Sequence, residues 1–406
     1  MAFTFKITHK DQNSQARTGI IETENGKIET PYLIPVATRA FIIGLTKKDI
    51  KELKIQALLS NTYHLHLKPG DKIIKKRGGL HKFMNFKGII YTDSGGFQAF
   101  SLGDAKKLGL SKLSQNLERK KHLEKSNSNE SLVKITNSGV HFNSIYDGSE
   151  HFIDSKKSME IQSNLGADAI MAFDECSAAN KSLAYQKKAL ERTHAWALKS
   201  LNYHDKKQAL YGIIQGGNNK SLRVKSTKFI LSKKFEGIAI GGSFGDSFGD
   251  SKSSMLEVID WIKPLWLKDK RPRHMLGIGW IDDLFHLVER GIDTFDCVEM
   301  TRIARHGSLY ITPKAGGSIK NKFRIDIAKS KYKRDNNPID SSCTCYTCQN
   351  YTRAYLAHLF RAEEMLAATL ASIHNLYFSV NLVKQIRQSI LDGRFAEFRE
   401  EWENQS

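Results

Sequence analysis

Gly88-Ile89-Ile90-Tyr91-Thr92-Asp93-Ser94 is a short apolar run that ends abruptly in polar residues. A strand with one face in water alternates apolar and polar residues, whereas a strand buried on both faces reads as a continuous apolar run. The same pattern recurs at 32–36, 57–59, 169–173, 209–214, 237–240, 274–278 and 294–298, with amphipathic stretches such as 183–201 and 281–289 between the runs. Eight βα repeats predict an α/β protein built as a (β/α)8 TIM barrel, although an open doubly wound sheet shares the alternation. The polar residues at the run ends favour the barrel. They are Tyr91-Thr92-Asp93-Ser94, Phe173-Asp174-Glu175, Ile214-Gln215-Gly216-Gly217, Ile240-Gly241-Gly242, Gly277-Ile278-Gly279 and Phe295-Asp296-Cys297. A barrel gathers every C-terminal strand end at one mouth, where active sites sit, whereas an open sheet spreads them along an edge.

Two regions interrupt the pattern. Residues 104–130 are rich in Lys, Ser, Asn and Glu with weak periodicity, which predicts a mobile insertion. Residues 313–375 carry a cysteine cluster and an apolar helix expected over 352–373, which predicts a zinc-binding subdomain inserted near the C-terminal end. The expected organisation is therefore a barrel over 1–312, that subdomain, and a helical segment over 376–406 packed on the barrel. A short duplication, Ser243-Phe244-Gly245-Asp246 and Ser247-Phe248-Gly249-Asp250, is too brief for a structural repeat.

Five cysteines are present, and Cys343, Cys345 and Cys348 fall within six consecutive residues, a spacing that suits metal ligation rather than a disulfide framework. Zinc takes a tetrahedral set, so a fourth ligand is required. His374, expected just past the end of the following helix, is preferred over His358 within it. A Cys3His set with no open position predicts one structural Zn2+ per chain.

The formal net charge of +19 sets up a field that attracts polyanions, with nucleic acid foremost. A Lys-rich coding background accounts equally for pairs such as Lys47-Lys48. The first ten residues lack the apolar core of a signal peptide, and no stretch reaches about 18 uninterrupted apolar residues, so a cytoplasmic protein without membrane association is expected.

Asp93, Asp174 and Asp296 each close an apolar run. One such carboxylate is most simply the cap of the next helix. Three at the same mouth point to function, because a carboxylate beside buried strand residues is costly unless it is used. Two carboxylates suit exchange at a glycosidic bond, one attacking the anomeric carbon and the other protonating the leaving group. Asp174 and Gln215 suit a nucleobase edge, and the backbone around Gly241 and Gly242 permits close approach.

These residues resemble the tRNA-guanine transglycosylase (queuine tRNA-ribosyltransferase) family, bacterial type, over essentially the whole chain. The carriers are Thr92-Asp93-Ser94-Gly95-Gly96-Phe97-Gln98, Met171-Ala172-Phe173-Asp174-Glu175-Cys176, Gln215-Gly216-Gly217 and Phe295-Asp296-Cys297-Val298. Asn61-Thr62-Tyr63-His64-Leu65, Thr301-Arg302-Ile303-Ala304-Arg305 and the Cys343/Cys345/Cys348/His374 set complete them. The resemblance implies a homodimer that exchanges the wobble guanine of tRNAs with GUN anticodons for 7-aminomethyl-7-deazaguanine or queuine. It makes Asp296 the nucleophile and Asp93 the general acid/base. Asp93, Ser94, Gly95, Gly96, Phe97, Asp174, Gln215 and Gly242 would form the base pocket, with Phe97 stacking on the base. Gly277-Ile278-Gly279-Trp280-Ile281-Asp282-Asp283 and Thr301-Arg302-Ile303-Ala304-Arg305 would touch the anticodon arm.

Three departures stand out. Val298-Glu299-Met300-Thr301 lacks the proline of the family's Leu-Pro-Thr-Arg, which loosens that turn. Ser243-Phe244-Gly245-Asp246 replaces Leu-Ala-Val-Gly-Glu, and Gly245 removes bulk beside position 7 of the base, which favours queuine; Cys176 favours the smaller base. The stretch 104–130 has no expected counterpart. Two other classes make different demands. A non-catalytic tRNA-binding subunit should lack Asp93 or Asp296, and a metal-dependent barrel hydrolase should carry ligands such as His64 and His66 at the mouth, where loop structure explains both.

Overall fold

A computed structural model describes residues 3–97, 133–177, 181–242 and 252–404. The expected insertion at 104–130, the Ser-Phe-Gly-Asp duplication, Gln98 and Gly245 lie outside these residues.

Eight parallel strands, Tyr32–Pro35, Ala57–Ser60, Ile89–Thr92, Ala169–Met171, Ala209–Ile214, Gly237–Ile240, Arg273–Met275 and Thr294–Cys297, follow one another round a single sheet in chain order. The eighth pairs with the first, and a parallel bridge between Val36 and Leu59 joins the first to the second. The alternation of side chains along each strand is visible in the core. Tyr32, Ile34, Ala57, Leu59, Ile89, Tyr91, Met171, Tyr211, Ile213 and Ala239 pack together inside the barrel. Their neighbours Leu33, Leu58, Ile90, Ile170, Leu210, Ile238 and Phe295 belong to a separate core beneath the outer helices. Both faces are dry, which is why the strands read as unbroken apolar runs.

An antiparallel sheet of Thr4–Lys10, Arg17–Thr23 and Gly26–Thr30 closes the N-terminal end, with Ile21 and Ile28 completing the interior cluster. Arg17 anchors it by a 2.6 Å ion pair to Asp293, both buried. The sequence reading did not anticipate this sheet, nor a second one of Val133–Ile135, Val140–Asn143 and Glu150–Ile153 between the third and fourth barrel strands.

The expected helix over 352–373 is two helices, Arg353–Arg361 and Met365–Leu391. Glu363 sits between them in the left-handed region at φ 57°. The Glu364 N–H reaches back to Leu359 O at 3.0 Å, a closure that ends a helix as glycine commonly does. Met365–Leu391 is long and apolar enough to cross a membrane, but 67% of its most apolar window is buried in the fold. Its first half packs with the cysteine-bearing segment through Leu370 and Ala371, and its second half on the barrel through Leu382, Val383 and Ile386.

Candidate active site

Inward-facing parity carries the site. Asp93 continues the series Ile89, Tyr91, as Gln215 continues Ala209, Tyr211, Ile213 and Asp296 follows Thr294. Each polar residue therefore stands one step above an apolar layer, at the C-terminal mouth.

Asp93 accepts from the Thr62 N–H at 2.8 Å, from the Gly95 N–H at 3.2 Å and from the Asn61 side-chain amide. Asn61 is itself fixed as the cap of helix Thr62–Leu67, its Oδ1 accepting from the His64 N–H at 2.9 Å. Despite these donors the Asp93 carboxyl is pushed up to about 7, chiefly by burial, with the negative charge of nearby Asp296 adding to the effect.

Asp296, 8% exposed, accepts through Oδ1 from the Gly277 N–H at 3.0 Å and faces His274 Nε2 at 3.1 Å. Asp174 accepts from the Ser94 hydroxyl at 2.9 Å and the Gln215 amide at 2.7 Å, and burial pushes its carboxyl up to about 6. Asp174 and Asp296 thus hold partners from neighbouring strands instead of capping their own helices. Gly241 is required beside them, since a Cβ there would lie 2.3 Å from Gln215 Nε2.

Three supports were not read from the sequence. Arg223, fully buried, donates to Ile214 O, Gly217 O and Gly241 O at 2.7–3.0 Å, tying the fifth and sixth strand ends together. Glu175 holds the chain after Asp174 through Arg192 at 2.6 Å and the Tyr185 hydroxyl at 2.7 Å. His274 is the third. Arg223 and Arg192 lie on helices, where an arginine reads as an exposed residue until the strand ends it reaches are known.

His64 and His66 belong to the helix Thr62–Leu67 and not to a loop. His66 bonds Asp71 at 2.7 Å, and burial drives His64 down to about 4. Neither joins a group of metal-ligating side chains among the described residues.

Cys343, Cys345, Cys348 and His374 bring four ligand atoms within 4.8 Å of one another and could hold a metal ion. The three sulfurs lie 3.7, 3.4 and 3.3 Å from His374 Nδ1. A tetrahedron with Zn–S of about 2.3 Å and Zn–N of about 2.05 Å has S···N edges of about 3.6 Å, so the donor set fits. His374 Nε2 donates to Tyr310 O at 2.7 Å, which leaves the Nδ1 lone pair for a metal. His374 lies inside Met365–Leu391 and not past a helix end, while His358 is exposed. His374 thus joins the three cysteines in a group that could hold a metal, but from within a helix and not from beyond a helix end as expected.

The family model described as queuine tRNA-ribosyltransferase matches residues 11–406. A relative from Archaeoglobus fulgidus is 48% identical over 407 residues, covering 99% of both chains. Relatives from Caldanaerobacter subterraneus and Thermoanaerobacter pseudethanolicus, each called queuine tRNA-ribosyltransferase, are 42% identical over 403 residues, covering 99% of this chain and 97% of theirs. The chain belongs to the queuine tRNA-ribosyltransferase family.

Within that family frame, burial sorts the two stretches expected to meet RNA. Ile278, Gly279, Ile281, Asp283, Ile303 and Ala304 are buried, so the accessible positions are Gly277, Trp280, Asp282, Thr301, Arg302 and Arg305. Arg302 is 54% exposed and only loosely paired with Glu299 at 3.7 Å. The missing proline after Asp296 does not disrupt the chain, for Glu299–Ala304 is helical with Met300 buried.

Proposed function

We propose that this chain is a tRNA-guanine transglycosylase that exchanges the wobble guanine of tRNAs with GUN anticodons for a 7-deazaguanine base, a step of queuosine formation. The observation that carries this reading is the pair Asp93 and Asp296 at one mouth. Asp93 holds its proton up to about pH 7, while Asp296 has two contacts on one oxygen, a pairing that suits an acid and a nucleophile.

In the first displacement the Asp296 carboxylate attacks C1′ of the ribose. The C1′–N9 bond breaks, its electron pair stays with guanine, and Asp93 supplies the proton. In the second, the incoming base gives a proton to Asp93 and attacks C1′ through N9. The ester bond then breaks and the Asp296 carboxylate is restored. Two displacements retain configuration. The wobble guanosine must leave the anticodon stack to reach the pocket.

Asp174 would accept from the ring N–H and exocyclic amine, and Gln215 would donate to the carbonyl. Gly242 backbone and a stacked Phe97 complete the pocket with Ser94, Gly95 and Gly96. Arg302 and Arg305 suit phosphates of the anticodon arm, as the guanidinium fork matches phosphate oxygens. The incoming base is 7-aminomethyl-7-deazaguanine or queuine, and Gly245 is the residue whose substitution by a bulkier side chain would exclude queuine. One Zn2+ held by Cys343, Cys345, Cys348 and His374 would cross-link the subdomain without touching substrate, consistent with a donor set that leaves no open position.

A homodimer is supported by exposed apolar side chains on adjoining segments. Phe41 and Ile43 are 45% and 43% exposed, and Met365 and Leu366 are 88% and 41% exposed. The Thr369 hydroxyl, donating to Gly44 O at 3.0 Å, ties the two segments together. A cytoplasmic location goes with a tRNA substrate in this reading.

Radiolabelled guanine exchange into unmodified tRNA tests the reading, comparing wild type with Asp296→Ala and Asp296→Asn. Exchange by wild type alone is expected. Tight tRNA binding without exchange would instead indicate a non-catalytic partner subunit.

A further inference from the structure

We propose that His274 is a positioning residue that fixes Asp296 through Oδ1 and so selects Oδ2 as the oxygen that attacks the ribose. The inference rests on the transglycosylase reading. His274 lies on the seventh barrel strand, is fully buried, and stacks on the Tyr91 ring at 5.6 Å between centroids and 25° between planes. Its Nδ1 is 2.9 Å from Thr294 Oγ1, and its Nε2 is 3.1 Å from Asp296 Oδ1. The Gly277 N–H donates to the same oxygen at 3.0 Å. Among the described residues, both hydrogen bonds to the Asp296 carboxylate fall on Oδ1 and none on Oδ2.

An ionised carboxylate only accepts, so the Nε2 proton of His274 must be the donor. In the neutral ring Nδ1 then carries the lone pair and accepts from the Thr294 hydroxyl, which fixes the tautomer. With Oδ1 doubly bound, Oδ2 keeps the more available electron pair. When Oδ2 forms its bond to C1′ and the C1′–N9 pair leaves with the base, Oδ1 becomes the ester carbonyl oxygen. The same two donors still point at it. In the second displacement the ester C1′–Oδ2 bond breaks, its electron pair returns to the carboxylate, and the donors stabilise the charge that reappears. His274 therefore keeps its proton throughout, and it favours the free carboxylate over the ester.

This role has a signature that loss of packing does not share. Removing the donor should slow turnover and yet raise the fraction of enzyme held as covalent adduct, since the departing carboxylate is less stabilised. For His274→Phe, kcat for guanine exchange should fall about tenfold or more, the scale of one hydrogen bond to a charged group. KM for tRNA should fall together with kcat, because a slower second displacement accumulates adduct and leaves kcat/KM for tRNA little changed, and the adduct fraction on a denaturing gel should rise. His274→Gln, which offers an amide donor, should recover part of both effects. Thr294→Val should move both in the same direction but less. Metal content and melting temperature compare the variants' folding, and if His274→Phe does not fold, Thr294→Val and His274→Gln carry the test.

A loss confined to KM, an unchanged kcat, or a kcat loss with an unchanged or lower adduct fraction would overturn the proposal. Wild type that neither exchanges guanine nor forms an adduct would overturn the transglycosylase reading together with it. An active wild type with an unaffected His274→Phe overturns this inference alone.

Discussion

Asp93→Asn should change how stability depends on pH, as well as abolishing exchange. The folded Asp93 carboxyl is raised from 3.8 to about 7, mainly by burial. A group raised in this way contributes stability that is fully present below its unfolded value and lost as pH rises through its folded value. Between pH 5 and 8 the wild type crosses about two units of that window, worth about 2.7 kcal/mol at about 1.36 kcal/mol per unit. Partial solvent access at the mouth reduces this to about 1–2 kcal/mol. The variant has no proton to lose there, so the wild type should lose about 1–2 kcal/mol more than the variant over this range. For a chain of this size, with unfolding entropy of about 0.85 kcal/mol/K, that is about 1–2 °C in melting temperature. Comparing the two proteins' pH dependence cancels the exchanged hydrogen bonds with Asn61 and Thr62 and any titration at the cysteine site, which both proteins share. Melting curves at pH 5 and pH 8 decide the matter. Parallel shifts of wild type and variant would refute the placement of Asp93 in a burial-dominated environment.

Other outcomes follow from the same geometry. Gly241→Ala places a Cβ 2.3 Å from Gln215 Nε2, so the Gln215–Asp174 bond should break and KM for guanine rise about tenfold or more in steady-state exchange. Arg302→Ala should weaken tRNA binding with little change in kcat and reduce the salt slope of log K by about one, measured by filter binding across a salt series. Cys345→Ser should remove the bound metal, read by elemental analysis, and lower the melting temperature by several degrees, while Cys176→Ser leaves the metal content unchanged. Exchange rate should fall as pH rises above about 7, because Asp93 must carry a proton to protonate the departing guanine; a flat profile from pH 6 to 9 would count against that role.

The barrel was legible because its strands are dry on both faces. Tyr91 and Ile90 are equally buried, one towards the barrel interior and one towards the helices, so no polar residue interrupts the run until the mouth is reached. Asp93, Asp174 and Asp296 stood out because each closes an apolar run at the barrel mouth. The cysteine cluster was legible from spacing alone. His374 does lie beside the cysteines, but the reason given for it was mistaken, as the helix break falls at Glu363, a residue type that gives no warning of a left-handed conformation. The N-terminal sheet escaped because its first strand, Thr4–Lys10, is largely exposed and carries no apolar run. His274 escaped because a single histidine in an apolar strand is indistinguishable from filler until its neighbours Thr294 and Asp296 are placed beside it. Arg223 escaped for the same reason, since its three carbonyl partners lie on two other elements.

The most direct test of the central claim is to trap the reaction midway. Wild-type protein mixed with unmodified tRNA carrying a wobble guanine would be denatured, digested with nuclease and protease, and mapped by mass spectrometry. A ribose ester on the peptide containing Asp296, absent in Asp296→Asn, is the predicted result. An adduct on any other residue, or active exchange with no adduct on Asp296, would contradict the account.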